Sequence, residues 1–303
     1  MKAVTKIMFF DDDGQKFFGE GPARLLRGIE EKGSLRGAAL AMEMAYTKAL
    51  TIIKNAENAL GFPLVIRVTG GKSGGGSVLT PEGKRWLRQY ERYRDDCVKA
   101  NQALYRHYFP KTGCVIMASG LGKRFGGNKL MADFGGKPMI QRALEATEGL
   151  FSRRVVVTRH ESVARLCREQ NVEVVLHDLP HRSDTVRLGL EALGELDVCM
   201  FLPGDQPLLR RETVAMLLEN WMENPDRIIR PAYEDSEGSP VLFPAWAFPE
   251  LMDLPEGKGG GAVIKNHPHA LSCVPVWDPF ELADADTPEA LELLKGLCYD
   301  QKK

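Results

Sequence analysis

The chain has 303 residues, of which 44% are hydrophobic and 27% charged, with a net charge of −1. That length suits two domains, and that balance excludes a disordered chain. The near-neutrality hides an asymmetry: residues 1–110 hold 18 Lys and Arg against 12 Asp and Glu, and the remainder hold 22 against 29.

In chain order, residues 21–32 show helical apolar spacing (Leu25, Leu26, Ile29) and stop at Gly33. Ser34 is placed to cap a short second helix over 35–42, and a tight turn near Glu43-Met44 leads to a third helix over 45–60 that ends at Gly61. An extended run (63–68), a glycine-rich tip (70–76) and a second extended run (77–79) follow. Three helices and then a β-hairpin is the order of a winged helix-turn-helix. Pro81 opens a long charged helix over 82–108, and Phe109-Pro110-Lys111-Thr112-Gly113 reads as a linker. The expected domains are therefore 1–110 and 111–303.

Beyond the linker, apolar runs at 114–117, 155–158, 172–176, 198–202 and 274–276 read as strands. Helical patterns at 139–148, 162–170, 183–193 and 212–222 alternate with them. This predicts an α/β domain, Rossmann-like with a mostly parallel sheet, preceded by an α+β winged helix-turn-helix domain. Ligands in such sheets bind beyond the carboxyl ends of the strands. Gly120 and Asp205 each follow a strand and so should share that edge.

The six cysteines (Cys97, Cys114, Cys167, Cys199, Cys273, Cys298) form no C-x-x-C pair and read as reduced core residues of a cytoplasmic protein. The N-terminus shows no signal-peptide pattern, since Asp11-Asp12-Asp13 interrupts its apolar run. No apolar stretch approaches the ~20 residues a membrane span needs.

The basic front half suits a polyanion. Tyr46, Thr47 and Lys48 would start the recognition helix, whose N-terminus contacts base edges in the major groove. Arg36, Arg67 and Lys72 suit phosphate, which gives affinity without sequence information. Gly71-Lys72-Ser73 imitates a P-loop, but that pattern needs Gly where Ile66 stands, so the glycines read as a hairpin tip. The segments from Glu57 to Leu64 and from Arg67 to Gly83 resemble the DNA-binding domain of the molybdate-responsive transcription regulator, a relative of LysR-type winged helices. That resemblance implies a homodimer on a DNA operator. Trp86, Leu87, Tyr90 and Tyr93, recurring at helical spacing, make the long helix the dimerisation candidate.

The back half carries its chemistry after the first strand. Gly120-Leu121-Gly122 followed by Gly126 has the spacing G-x-G-x-x-x-G, one residue too long for a dinucleotide fingerprint. With Arg124 and Lys129 interleaved, the turn fits a nucleoside triphosphate: small residues let backbone N–H groups approach oxyanions, and the cations neutralise charge building on phosphorus. Asp205, in Pro203-Gly204-Asp205-Gln206-Pro207, is placed at a strand end to hold Mg²⁺, and Asp284-Ala285-Asp286 could complete that site.

Four segments together resemble the MobA-like nucleotidyltransferases, and among them the molybdenum cofactor cytidylyltransferases. They are the 118–129 loop with Gly135-Gly136-Lys137-Pro138, the Asp205 turn, Gly238-Ser239-Pro240-Val241-Leu242-Phe243, and Asp284-Ala285-Asp286-Thr287-Pro288-Glu289. The resemblance implies nucleotidyl transfer to the molybdopterin cofactor with release of pyrophosphate. It places Ala118, Gly120, Gly122, Arg124 and Lys129 on the triphosphate, and Asp205 with Asp286 or Asp284 on Mg²⁺. The run from Arg182 to Leu190 is similar to a cytosine-contacting R-x-D-S-V-x-x-G-L segment, with Thr185 in the Ser position, and this favours CTP over GTP. Two departures stand out. Glu256-Gly257-Lys258-Gly259-Gly260-Gly261 replaces a pattern like G-D-K-G-A-R in the region expected to face the acceptor, and Ser119 replaces a small Ala or Gly in the loop.

Overall fold

The start and stop residues of the first helices behave as their chemistry demands. In the computed structural model, which describes residues 3–68 and 76–300, Ser34 Oγ accepts from the Gly37 N–H at 3.0 Å and opens a helix. Gly33 and Gly61 close the helices before them in the left-handed conformation, with φ of 68° and 74°. The chain divides into two compact units, Met1–Tyr105 and Arg106–Lys303.

The first unit opens with an antiparallel hairpin of β1 (Met8–Phe10) and β2 (Lys16–Gly19). Helices α1 (Glu20–Lys32), α2 (Leu35–Ala41) and α3 (Tyr46–Leu60) follow, then the antiparallel pair β3 (Val65–Val68) and β4 (Gly76–Leu79), then α4 (Pro81–Tyr108). Thr80 caps α4 by accepting from the Gly83 N–H at 2.8 Å, and Pro81 fills the first helical position. Glu57 of α3 accepts from the Leu64 and Val65 N–H groups at 2.8 and 3.0 Å, tying the helix to the wing. Leu25, Leu26 and Ile29 of α1 pack with Ala38, Ala49, Ile53 and Leu87 in one core. The same core takes up part of the stripe from which a dimer was expected. Leu87 and Tyr90 are buried in this core, and Trp86 packs edge-on against Phe9, Phe18 and Phe62. The N-terminal hairpin claims that stripe, leaving Tyr93 and, a few turns on, Leu104 exposed along α4.

The second unit begins with β5 (Thr112–Ala118), almost entirely buried. It continues through α5 (Ile140–Thr147), β6 (Arg153–Thr158), α6 (Glu161–Glu169), β7 (Glu173–Leu176), α7 (Arg182–Leu193), β8 (Val198–Pro203) and α8 (Arg211–Glu223). The sheet then gains β9 (Ile228–Tyr233), β10 (Ser236–Glu237) and β11 (Val241–Pro244). After α9 (Phe248–Met252) and α10 (Gly261–Asn266), β12 (Leu271–Pro275) pairs with β9, and α11 (Pro288–Asp300) ends the chain's described part. Strand order is β10-β9-β11-β8-β5-β6-β7. The β5–β6, β5–β8, β6–β7 and β9–β12 pairs are parallel; only the β10 and β11 pairings are antiparallel, so six of eight strands run one way. This is the mostly parallel α/β sheet read from the sequence.

Side-chain alternation builds two cores. Cys114 and Ile116 face one side with Val156, Met200, Leu144, Leu217 and Leu291. Val115 faces the other with Val155, Phe201, Val186, Leu190 and Leu251. Helices therefore cover both faces, and only the strand ends are free to make a site.

Candidate functional site

Beyond Ala118 the chain leaves β5 in an irregular loop, and a single 3₁₀ turn, Lys129–Met131, returns Lys129 to the strand ends. The loop is possible because residue 122 is glycine. Its φ is +59°, and a Cβ there would lie 2.2 Å from the Gly127 carbonyl oxygen. The Gly122 carbonyl accepts from the Phe125 and Gly126 N–H groups at 2.9 and 3.0 Å, closing the turn.

This loop borders a cavity of about 640 Å³ at the carboxyl edge of the sheet. Gly120, Gly122, Arg124, Lys129, Arg182, Thr185, Asp205, Asp284 and Asp286 all line it, so segments far apart in sequence converge as expected. Ala118 is the exception. Its side chain is buried and its carbonyl accepts from the Thr158 hydroxyl at 2.9 Å, so it serves the loop's root rather than the cavity wall.

Lys129 organises the charges. It is 8% exposed, and its Nζ donates to Asp205 and, at 2.8 Å, to Asp286. Burial alone would favour the neutral amine, but the hydrogen bonds and charges of Asp205 and then Asp286 outweigh it and raise the Lys129 pKa. The Lys129 hydrogen bond, with help from the Arg124 guanidinium, holds Asp286 below the ordinary carboxylate range. Asp284 shifts upward: the cleft strips water from its carboxyl, and Asp205 and Asp286 repel its charge. Its outer side remains exposed. Arg124 itself is largely exposed and tethered only at Asp286 among the ion pairs of the described residues, so it is free to swing onto a ligand.

Two carboxylates converging on one ammonium already hold a cation between them. The donor set is hard oxygen, and three carboxylates, Asp205, Asp284 and Asp286, line the cavity with Lys129 and the exposed Arg124 as their cations. Among the described residues no group of three or more His, Cys, Asp or Glu side chains could hold a metal alone. A pair of carboxylates such as Asp205 and Asp286 is the number that Mg²⁺ commonly takes from a protein before phosphates and water complete its shell. Asp286 shares the Lys129 ammonium with Asp205, so these two carboxylates already face one positive charge together. The Ala285 N–H donates to the Asp205 carbonyl at 2.9 Å and so locks the two acidic segments together.

At the other end, Arg182 opens α7 exposed to the cleft, while Thr185 is 3% exposed one turn on. Asp184 and His181 cap the helix reciprocally, and Arg187 donates to Asp184 at 2.6 Å. A second cavity of about 330 Å³ shares Met117, Arg182 and Ser239 with the first. Phe201, Phe243, Leu251 and Gly259 to Gly261 wall it, and the Gly260 backbone lies so close to the Phe243 ring that a Cβ would meet it at 2.6 Å.

Sequence reasoning missed several residues here. Arg159 lines the cavity directly beyond β6 and donates to the Leu179 carbonyl. The signal was available, since a position just after an apolar run is what placed Gly120 and Asp205 at that edge. Buried Glu281 accepts from the Thr213 hydroxyl at 2.5 Å and pins the segment that carries Asp284 and Asp286; nothing in its spacing marks it.

In the first unit, Tyr46, Thr47 and Lys48 occupy the first turn of α3 and are exposed. Arg36 on α2 and Arg67 on β3 are exposed as well, whereas Lys72 lies outside the described residues.

A glycine loop bordering a cavity at the strand ends, an Asp-Lys-Asp cluster and a mostly parallel sheet covered on both faces are together the marks of nucleotide-using α/β proteins. The chain belongs to the family described as the MobA-like NTP transferase domain, whose model matches residues 114–271. Among curated relatives, a probable molybdenum cofactor guanylyltransferase of Aquifex aeolicus is 32% identical over 112 residues, 36% of this chain and 54% of that protein. The molybdenum transport protein ModE of Azotobacter vinelandii is 33% identical over 111 residues, 37% of this chain and 41% of that protein. A 3-deoxy-manno-octulosonate cytidylyltransferase of Neisseria meningitidis is 34% identical over 122 residues, 38% of this chain and 48% of that protein. The chain thus spans about half the length of the curated relatives it matches.

Proposed function

We propose that the second unit transfers the cytidylyl group of CTP to the terminal phosphate of the molybdopterin cofactor, releasing pyrophosphate, and that the first unit binds a DNA operator. The observation that carries the transfer reading is Lys129, one ammonium shared by Asp205 and Asp286 in a cavity bordered by the glycine loop.

In this reading an oxygen of the acceptor phosphate forms the new bond to the α-phosphorus of CTP. The bond from that phosphorus to the β-phosphate oxygen breaks, and pyrophosphate leaves with the electron pair. A phosphate oxygen is already ionised at neutral pH, so the reaction needs positioning and charge neutralisation more than a protein base. Arg124 and Lys129 neutralise the charge that builds on the transferring group, and the small residues of the loop admit the phosphates to its N–H groups. Asp205 and Asp286 would hold Mg²⁺, which when bound orients and neutralises phosphate oxygens. Arg182 and Thr185 face the cytosine; the cytidylyltransferase relative supports that base, and the guanylyltransferase relative supports a molybdenum cofactor acceptor. The second cavity shares Arg182 with the first and is lined by Phe201, Phe243 and Leu251 as well as Arg230 and Ser239, a mixture that suits a fused heterocycle with a phosphate arm.

For the first unit, Tyr46, Thr47 and Lys48 read base edges while Arg36, Arg67 and Lys72 hold phosphates. A homodimer would close over the exposed Tyr93 and Leu104 positions of α4. The cytoplasm suits the free, buried Cys114, Cys167 and Cys199. No helix among the described residues is long and apolar enough to cross a membrane.

The test is pyrophosphate release from CTP and from GTP in competition, with molybdenum-loaded molybdopterin as acceptor. The reading expects turnover with CTP in preference. Turnover with GTP alone refutes the base assignment, and tight nucleotide binding without turnover leaves a regulator that senses its ligand.

A further inference from the structure

Two histidines take no part in the transfer just described, yet both end on the loop that opens the cavity. His160 follows β6 and places Nε2 2.8 Å from the Gly120 carbonyl oxygen. A carbonyl oxygen only accepts, so His160 carries a proton on Nε2. His177 follows β7 and places Nε2 2.7 Å from Ser119 Oγ. The Ser119 hydroxyl donates to the Val157 carbonyl at 3.0 Å, so its lone pairs accept from His177. The other His177 nitrogen, Nδ1, is buried with no hydrogen-bond partner among the described residues, which suits a bare lone pair better than a second N–H. Burial, and then the charge of Arg159, lower the His177 pKa and keep that ring neutral, against weaker opposing pulls from Asp184 and Asp178.

The ties extend one residue further back. The Thr158 hydroxyl donates to the Ala118 carbonyl at 2.9 Å and accepts from the His160 N–H at 3.1 Å. The His177 N–H donates to the Thr158 carbonyl at 3.0 Å. Three consecutive residues, 118 to 120, are therefore each fastened to the ends of β6 and β7. Directly after them the loop becomes a phosphate cradle with glycines at 120 and 122, where no side chain can set the backbone's direction.

Peptide planarity gives these ties a consequence. In a trans peptide the carbonyl of Gly120 and the N–H of Leu121 point to opposite sides. Holding the carbonyl on His160 therefore fixes where that N–H points, and Leu121 lines the cavity with Gly120 and Gly122. Neither histidine lines the cavity itself.

We propose that His160 and His177, acting through the Gly120 carbonyl and the Ser119 hydroxyl, are positioning residues that set the phosphate loop for the triphosphate before it binds. The proposal rests on the nucleotide reading of the cavity. A glycine loop left loose must be ordered by its ligand, and that ordering subtracts from affinity; a loop held at its root avoids the loss.

The experiment measures CTP and GTP binding to the full chain by calorimetry in MgCl₂, without acceptor, for the wild type and for His160→Ala, His160→Gln and Ser119→Ala. Hydrogen exchange of the peptide covering residues 119–128 is followed without nucleotide. Loss of one such hydrogen bond is expected to weaken nucleotide binding by about tenfold. The loop should exchange faster in His160→Ala and Ser119→Ala, while His160→Gln, which keeps an N–H donor, recovers most of both. Wild-type affinity in His160→Ala and Ser119→Ala, or a Gln variant as weak as Ala, overturns the positioning role. A wild-type chain that binds neither nucleotide overturns this proposal together with the nucleotide reading beneath it.

Discussion

Replacing Lys129 with methionine keeps most of the side-chain volume and removes the charge between two carboxylates. Asp205 and Asp286 both lie within 3 Å of Lys129 Nζ, so their bonded oxygens are less than about 6 Å apart. Two like charges at that separation repel by about 3 kcal/mol at an effective dielectric constant of 20. The Asp286 side chain is 37% exposed, and solvent screening reduces this to about 1–2 kcal/mol. For a unit of this size that is a fall of about 3–6 °C in melting temperature. The pH dependence follows from the two shifts. Asp286, held low by Lys129, contributes stability that is present above the ordinary carboxylate range and lost as pH falls through its lowered value. Lys129, held high, contributes below the ordinary amine value and loses that contribution as pH rises through its raised value. At pH 7 both are present in the wild type and absent from the variant, so the gap is full. As the pH falls to about 4, toward the lowered Asp286 value, that contribution wanes in the wild type and the gap narrows. Thermal melts of the full chain at both pH values, in low salt without Mg²⁺, read the difference. Equal melting at pH 7, or a gap that widens in acid, would refute the electrostatic account of the cluster.

Three further perturbations probe other parts. Gly122→Ala places a Cβ 2.2 Å from the Gly127 carbonyl at φ +59°, so the loop must refold; CTP affinity should fall more than tenfold by titration calorimetry. Asp205→Asn should lower turnover on the order of a hundredfold to a thousandfold, because the neutral amide would hold Mg²⁺ less firmly against the transferring phosphates, while CTP binding weakens far less in a direct titration. Lys48→Ala with Arg67→Ala should weaken operator binding and flatten its salt dependence by about 1 unit of slope for each phosphate that is no longer neutralised, leaving pyrophosphate release intact; unchanged DNA affinity would remove the reader assignment.

Much of this was legible where one residue type has one physical use. Gly33 and Gly61 end helices in the left-handed conformation, Ser34 caps, and the loop from Gly120 to Lys129 follows a strand as its apolar run required. Strands β9 and β11 were not legible because Arg230, Pro231 and Pro244 break their apolar periodicity; pairing with β8 and β12 holds them instead. The β1–β2 hairpin hid behind Asp11-Asp12-Asp13-Gly14, which reads as an interruption until the chain is seen to turn there, with the Asp11 N–H donating to the Gln15 carbonyl at 2.9 Å. That hairpin also explains why most of the α4 stripe is used within the unit: Trp86 and Tyr90 point inward because Phe9 and Phe18 are there to meet them. His160 and His177 were invisible for a different reason. Their partners are a carbonyl and a hydroxyl some forty to sixty residues away, and nothing in sequence spacing predicts such ties.

The central claim is a transfer from nucleotide to acceptor, and label transfer tests it most directly. CTP carrying radioactive phosphorus at the α position is incubated with the full chain, Mg²⁺ and molybdenum-loaded molybdopterin. The account predicts that label appears on the acceptor in equal amount to the pyrophosphate released, and that Asp205→Asn nearly abolishes both. Label that stays in CTP, or that ends in free CMP with the acceptor unmarked, would contradict it.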